Sequence, residues 1–234
     1  MKPALGATLD RSHPQCRGLV AWFPLLERGG GLTNDVVNKR AGTITGADWI
    51  GGKDGPVLNF VAADSDKVAI ASGLLAAYPF TLACQFHTID TAAANRYLFS
   101  VGDSASSTHF VGIRLGGTHV VDYLIRAGGS TATLSSTATF NDGKRHLVCA
   151  VSRSATDHQL YIDGVSVATA TTDVSTFPTL NKALIGGLAR STDSLHFAGS
   201  IADCRAYSRA LTTADMQAIM LDPWAPFART FAIL

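Results

Sequence analysis

The feature that most constrains the fold is a recurrence of short runs in which apolar residues occupy every second position. In residues 81–87, for example, Leu82, Cys84 and Phe86 are separated by other residues one at a time. Successive side chains of a strand point to opposite sides, so this alternation is typical of strands with a buried face. Glycine pairs and Asn-Asp-Gly or Asp-Gly sequences separate the runs, and they favour tight turns.

The pattern predicts an all-β fold. Strands are expected in the residue ranges 19–24, 43–46, 57–60, 67–70, 81–87, 97–101, 110–115, 119–126, 146–151, 160–163, 183–186 and 200–208. One helix is expected over Thr213–Leu221, where Thr212 and Asp215 form a capping-box-like start and Pro223 ends the helix. Because strands do not alternate with helices, we expect a two-sheet antiparallel sandwich with one short C-terminal helix.

The chain has 234 residues, a length that all-β sandwiches commonly reach as one domain. Residues 1–17 are polar and contain two prolines, so we expect an N-terminal extended arm. The sandwich domain is then expected over residues 18–221 and an apolar C-terminal tail over residues 222–234. The large apolar side chains of this tail are Trp224, Phe227, Phe231, Ile233 and Leu234.

Charge and hydropathy argue against several classes of partner. The chain carries 19 basic and 18 acidic residues with no basic run, so no nucleic-acid partner is expected. No apolar run reaches the roughly 18 residues of a membrane-spanning helix, so no membrane insertion is expected. The first residues also lack the apolar segment of a secretory signal peptide. Cys84, Cys149 and Cys204 lie in apolar runs, and we expect buried free thiols there.

Five segments, in order, resemble the laminin-G-like, concanavalin-A-like lectin and glucanase jelly-roll family. They are GLVAWFPLLERGGG, PVLNFVAADSDKVAI, FTLACQFHT, FNDGKRHLVCAVSRSATDHQLYIDGVSVA and LIGGLARSTDSLHFAGSIADCRAYSRALTTADMQAI. The resemblance covers residues 18–221 and implies the jelly-roll fold. In the last segment Arg205 and Tyr207 alternate with smaller residues, so we expect both on the outer face, either solvated or in a contact surface.

The flanks LDRSHPQCRGLV and LDPWAPFART resemble those of such domains encoded in bacteriophages and prophages. This resemblance implies a virion-associated surface protein, such as a tail or capsid decoration. It would be made in a bacterial cytoplasm and would act at the virion surface or outside the cell. Its partners would be other virion proteins or a cell-surface glycan, and a homo-oligomer is one form of such an assembly.

A carbohydrate-recognition module is the companion hypothesis, because jelly-roll lectins bind sugars through aromatic rings and hydrogen-bonding side chains. The candidate ligand-binding residues are Trp49, Tyr78, His87, Arg96, His109, Tyr123 and Arg126. For each aromatic residue in this set, packing in the core is an equally good explanation. The two hypotheses, recognition and assembly, are compatible with each other.

Many members of the family that the chain resembles hold Ca²⁺ through Asp and Asn side chains and backbone carbonyls. The candidate calcium ligands are Asn34, Asp35, Asp64, Asp66 and Asp203. The chain departs from the family at the closing strand, which usually carries an acidic residue where Ala202 stands here. The alternative, loop aspartates that cap turns, explains the same residues.

An enzyme on the same fold, a glycoside hydrolase, is the alternative function. Such enzymes normally need two carboxyl groups that flank the scissile bond. Glu27 is the only glutamate and lies beside a run of glycines, so the glutamate motif of the β-glucanase relatives is absent. We therefore expect a binding or assembly module that is not an enzyme.

Overall fold

The computed structural model describes residues 1–175 and 179–227 as two antiparallel sheets of eight strands and one helix, α1 (Thr213–Leu221). The first sheet contains β1 (Leu19–Phe23), β4 (Asp48–Gly52), β5 (Gly55–Phe60), β7 (Phe80–His87), β12 (Arg145–Ser154), β13 (Asp157–Ile162), β14 (Val165–Ala170) and β16 (Gly199–Tyr207). The second contains β2 (Leu32–Asn34), β3 (Ala41–Thr45), β6 (Lys67–Ile70), β8 (Arg96–Gly102), β9 (His109–Leu115), β10 (Val120–Ala127), β11 (Ser130–Thr139) and β15 (Lys182–Ile185).

The strand order of the first sheet is β14-β13-β12-β7-β16-β5-β4, and β1 pairs with the C-terminal half of β16. The second sheet has the order β11-β10-β9-β8-β15-β6-β3-β2. This architecture confirms the predicted two-sheet antiparallel sandwich. The helix also lies where it was predicted, and its capping box joins Thr212 and Asp215.

The main core lies between the two sheets, and in β7 it is formed by Leu82, Cys84 and Phe86, as the alternation predicts. Part of the outer face of the first sheet is covered as well. There α1 packs Met216 and Ile219 in a cluster with side chains of β12 such as Cys149. Strand β12 is therefore buried on both faces, although a single buried face was expected.

Four strands lie outside the predicted ranges, and each is the outermost strand at one end of its sheet. They are β2, β4, β11 and β14. Strand β11 shows why: its sequence is STATLSSTAT, and hydroxyl-bearing side chains fill most of its exposed positions. A strand with only one neighbour and a solvated face needs few apolar residues, so the alternation of hydrophobicity is weak there.

The Asp163-Gly164 turn joins β13 to β14. Both residues have positive φ, at 50° and 77°, which is the conformation of a two-residue type I′ hairpin. Glycine adopts this conformation without strain, and aspartate tolerates it better than most residues. The structure therefore confirms the tight hairpin predicted from this sequence.

Both flanks of the domain pack on the first sheet. Leu9 and Phe227 form an isolated antiparallel bridge, and the rings of Trp224 and Phe227 lie 5.9 and 4.8 Å from the ring of Trp22. The N-terminal segment, expected as an extended arm, is thus held against the domain. Three residues of the predicted apolar tail, Phe231, Ile233 and Leu234, lie outside the described residues. No helix in the described part of the chain is long and apolar enough to cross a membrane.

Candidate functional site

A cleft of about 380 Å³ opens on the outer face of the first sheet, and no residue of α1 lines it. The β4–β5 hairpin forms one wall, and the turn before β12 forms the other. Across the floor, Asn59 of β5 pairs with Ser200 of β16, which pairs with His87 of β7. Arg145 of β12 continues this row beyond His87. Paired residues of adjacent strands share a face, so the four side chains line one surface.

The floor of the cleft carries three polar side chains beside apolar lining residues such as Val57 and Ala202. Asn59, His87 and Ser200 are half-buried, and their side chains make no hydrogen bond to any residue that the structure describes. Each lies about 4.8 Å from the next, the spacing of neighbouring strands. The cleft therefore offers a carboxamide, an imidazole and a hydroxyl, all able to bond to a ligand at once.

The charged groups of the cleft are basic. Lys53 is exposed at the tip of the β4–β5 hairpin, and Arg145 stands at the opposite wall. The Arg145 guanidinium forms an ion pair with Asp54, which belongs to a neighbouring cleft and not to this one. Among the described residues that line the cleft, none carries a carboxylate.

An apolar surface adjoins the cleft. Ile50 lines the cleft and is 43% exposed. It also lines a second hollow of about 350 Å³, on the other side of the hairpin, that contains the half-buried ring of Trp49. The Trp49 indole N–H donates to the Gly30 carbonyl at 3.1 Å. Trp49 pairs with the core residue Leu58 and packs against the main core, so its ring lies on the opposite face of the hairpin from the polar floor.

The predicted ligand-binding residues are spread over the molecule. His87 lies in the cleft and Trp49 packs against the main core from the other face of the hairpin, whereas Arg96, His109 and Arg126 belong to the second sheet. Arg96 pairs with Asp90, and His109 bonds to Ser106 at 2.6 Å. The buried Nε of Arg126 has no partner among the described residues. The structure does not bring these five residues together as one site.

Two predicted ligand-binding tyrosines have structural roles. Tyr123 is 0% exposed, and its hydroxyl lies 2.5 Å from the Ser152 hydroxyl in the core. It therefore cannot contact a ligand, and that prediction is corrected: the ring faces the opposite sheet. Tyr78 is half-buried in a separate hollow, donates to the Val174 carbonyl at 3.0 Å, and has its pKa raised by burial to about 12.

Three of the predicted calcium ligands hold the fold together. The buried Asp35 carboxylate accepts the backbone N–H of Trp22 at 2.9 Å and pairs with Arg40. The buried Asp203 carboxylate accepts the indole N–H of Trp22 and pairs with Arg205 at 2.8 Å. The third, Asp66, is also buried and accepts the backbone N–H of residue 61 at 2.7 Å.

The remaining two, Asn34 and Asp64, are exposed. No three His, Cys, Asp or Glu side chains form a potential metal-binding group in the described part of the chain. The four predicted aspartate ligands therefore do not come together as one group in that part of the chain. The carboxylates instead cap turns and brace Trp22, which is the alternative that the sequence left open.

The sequence analysis missed Lys53, Asn59, Arg145 and Ser200. They come from three segments far apart in the chain, the β4–β5 hairpin, β12 and β16, and meet only through the order and register of the strands. A signal existed for Asn59 and Ser200, since each is a polar residue between the apolar residues of a strand. The alternation of polar and apolar residues predicts that both side chains lie on the outer face of the sheet. It does not predict that they are neighbours on adjacent strands.

Comparison with known proteins agrees with the fold. Domain 4 of AbnA, a GH43 extracellular arabinanase from Geobacillus stearothermophilus solved with arabinotriose, has a TM-score of 0.69 at 16% identity. The alignment covers 86% of this chain and 97% of that domain. The CBM40 of the Ruminococcus gnavus IT-sialidase, bound to α2,3 sialyllactose, has a TM-score of 0.53 at 21% identity, over 62% of this chain and 83% of that one.

A sialidase from Trypanosoma rangeli, in complex with sialic acid, has a TM-score of 0.66 at 15% identity. It covers 91% of this chain, which spans only 34% of the sialidase. No curated protein matches the chain by sequence. A laminin-G family model, described as the concanavalin A-like lectin/glucanases superfamily, matches residues 62–217. The match takes in two thirds of the chain, so the protein belongs to the laminin-G branch of the concanavalin A-like lectin/glucanase superfamily.

Proposed function

We propose that the protein is a non-catalytic carbohydrate-binding module whose site is the cleft on the first sheet. The observation that carries this proposal is the row of Asn59, Ser200 and His87, three adjacent half-buried side chains without hydrogen-bond partners in the described structure. Half-buried polar groups are normally bonded to protein or ordered water, and a sugar offers hydroxyls at comparable spacing.

Two of the similar structures support a glycan ligand. The arabinanase domain was solved with arabinotriose and the CBM40 with sialyllactose. The sequence identity of both structures to this chain is too low to imply shared binding residues. They therefore support a glycan as the class of ligand but do not indicate which glycan. The exposed side chain of Ile50 beside the polar floor adds apolar surface against which a sugar ring can pack.

The composition of the cleft supports binding without hydrolysis. Glycoside hydrolysis normally requires two carboxyl groups at the scissile bond, and none lines the cleft among the described residues. Glu27, the only glutamate of the chain, accepts hydrogen bonds from the Thr33 hydroxyl at 2.9 Å and the Asn34 N–H at 2.8 Å. It therefore has a structural role in the β2 region, away from the cleft.

A glycan microarray probed with the wild-type protein and with the N59A/H87A double variant tests the proposal. We expect saturable binding to a restricted set of glycans by the wild type and its loss in the double variant. Arg126→Gln, on the second sheet, is the matched control and keeps the binding. Thermal unfolding verifies that each variant is folded. A folded wild type that binds no glycan, or binding that Arg126→Gln alone removes, contradicts the proposal.

We also propose that the module is virion-associated, as the resemblance of its flanks to phage-encoded domains implies. The flanks add one observation in support. Met1, Leu5 and Leu221 are 100%, 66% and 87% exposed, and they line an open hollow of about 830 Å³ beside Trp224. Exposed apolar surface of this kind is typical of assembly sites.

Immuno-electron microscopy of particles released from cells that express the chain, with an antibody against it, tests this second proposal. Label on tails or capsids is the expected result. Label confined to particle-free material contradicts a virion role while leaving carbohydrate binding intact.

A further inference from the structure

We propose that the cleft recognises an acidic sugar, one whose ring carries a carboxylate. This inference rests on the carbohydrate-binding function proposed above and names the chemical class of its ligand. It is drawn from the charges that line the cleft and from the present partner of Arg145.

Basic side chains outnumber acidic ones at the cleft. The charged residues that line it in the described structure are Lys53 and Arg145. Asp54, the ion-pair partner of Arg145, lines an adjoining cleft that both basic residues also line. The Lys53 ammonium has no ion-pair partner among the described residues. A half-enclosed site with an excess of positive charge attracts anionic ligands, since the field is less screened there than on an open surface.

Arg145 already holds a carboxylate. Its Nη1 is bonded to Asp54 Oδ2, and both side chains are partly exposed, at 29% and 36%. The guanidinium has five N–H donors in a planar fork, so a second carboxylate can be bound without breaking the first pair, or can replace it. An acidic sugar would thus place its carboxylate between Arg145 and Lys53 and its hydroxyls over Asn59, Ser200 and His87.

A carboxylate on a sugar occurs in uronic acids and in sialic acids, and both carry the same recognition chemistry. The test therefore uses two matched pairs of probes by isothermal titration calorimetry. One pair is an oligogalacturonate and the corresponding neutral galactan oligosaccharide, and the other is 3′-sialyllactose and lactose. We expect the acidic member of at least one pair to bind about tenfold more tightly than its neutral partner, as two partly screened charge pairs allow.

Three variants assign the preference to the cleft. Lys53→Gln and Arg145→Gln are each expected to weaken binding of the acidic probe about fivefold and to leave the neutral probe unchanged. Asp54→Asn removes the carboxylate that competes for Arg145, so we expect it to strengthen binding of the acidic probe. Lys39→Gln, an exposed lysine on the β2–β3 loop, is the control and has no effect.

The outcomes separate this inference from the function on which it rests. Equal or tighter binding of the neutral members, still lost in N59A/H87A, overturns the acidic-sugar inference and keeps the carbohydrate-binding site. An acidic preference that survives Lys53→Gln and Arg145→Gln also overturns it, because the charges responsible then lie elsewhere. No binding of any probe or array glycan overturns both.

Discussion

The guanidinium carbon of Arg205 lies 4.0 Å from the ring centroid of Trp22, and Asp203 joins the two residues. One carboxylate oxygen of Asp203 accepts the Trp22 indole N–H, and the other accepts Arg205 Nε at 2.8 Å. Arg205 also donates to the Pro223 carbonyl at 2.7 Å. The alternation predicted correctly that Arg205 lies on the outer face of the first sheet. The flanking segments cover that face at this position, so the prediction that Arg205 is solvated or in a contact surface is wrong.

Removal of the Asp203 carboxylate is predicted to destabilise the fold strongly. Asp203→Ala leaves the guanidinium of Arg205, 1% exposed, without its counter-ion. Breaking a buried pair in this way costs about 3–5 kcal/mol. Denaturant unfolding measures the loss. Asp157→Ala, which breaks the exposed pair with Arg153, is the control and should cost under about 1 kcal/mol. Equal losses in the two variants would contradict this account of the buried pair.

Calcium is predicted to have no effect on stability. The predicted aspartate ligands form no group of three or more in the described part of the chain, so we expect no site there through which the ion would stabilise the folded state. The unfolding temperature should be the same in EDTA and in millimolar Ca²⁺. An increase with calcium that follows a binding curve would show that a site exists and would overturn this prediction.

The cap of α1 is predicted to make stability depend on acid pH. Hydrogen bonds from Arg209 lower the pKa of Asp215 from 3.8 to about 2. Since the folded-state pKa lies below the unfolded one, this contribution is present above the unfolded pKa and is lost as pH falls towards 2. Asp215→Asn should cost about 1 kcal/mol at neutral pH.

The difference in unfolding free energy between wild type and Asp215→Asn, measured from pH 7 to 2, checks the sign. It should stay constant down to about pH 4 and then shrink. A difference that grows on acidification would rule out this role for the carboxylate.

Lys2 is predicted to position the cleft. Its ammonium donates to the carbonyls of Pro56 at 2.6 Å, Ala202 at 2.7 Å and Pro24 at 2.7 Å. These contacts tie the β4–β5 hairpin to β16, and the hairpin carries Lys53. Lys2→Met removes the donors, so hydrogen exchange in residues 48–60 should rise and glycan affinity should fall. Lys39→Met is the control. Unchanged exchange in the hairpin would exclude this positioning role.

Interior strands could be predicted from the sequence and edge strands could not. An interior strand such as β7 packs against the core, and its apolar residues repeat every second position. Strands β11 and β14 have one neighbour each, and threonine, serine and alanine suffice there. The same reasoning explains β4, which reads DWIGG and forms a wall of the cleft. Because β4 was not predicted from the sequence, the wall of the cleft that it forms was not predicted either.

The candidate site could not be predicted because it depends on the order of the strands in the sheet, which the sequence pattern does not indicate. His87 was identified as a polar residue at the end of a strongly patterned strand. Its neighbours Ser200 and Asn59 join it only because β16 lies between β7 and β5. Tyr123 was predicted as an exposed ring that could contact a sugar, but its side chain points into the core. A shift of one position in a strand moves a side chain to the other face.

The most direct test of the central claim is an NMR titration of the ¹⁵N-labelled protein with an oligosaccharide that it binds on the array. The account predicts that the largest shift changes fall on the Asn59 and His87 signals and on their neighbours Ser200 and Arg145. Changes centred on Arg126 and the second sheet, with the cleft unaffected, would show that the protein binds sugar elsewhere and would contradict the assignment of the site.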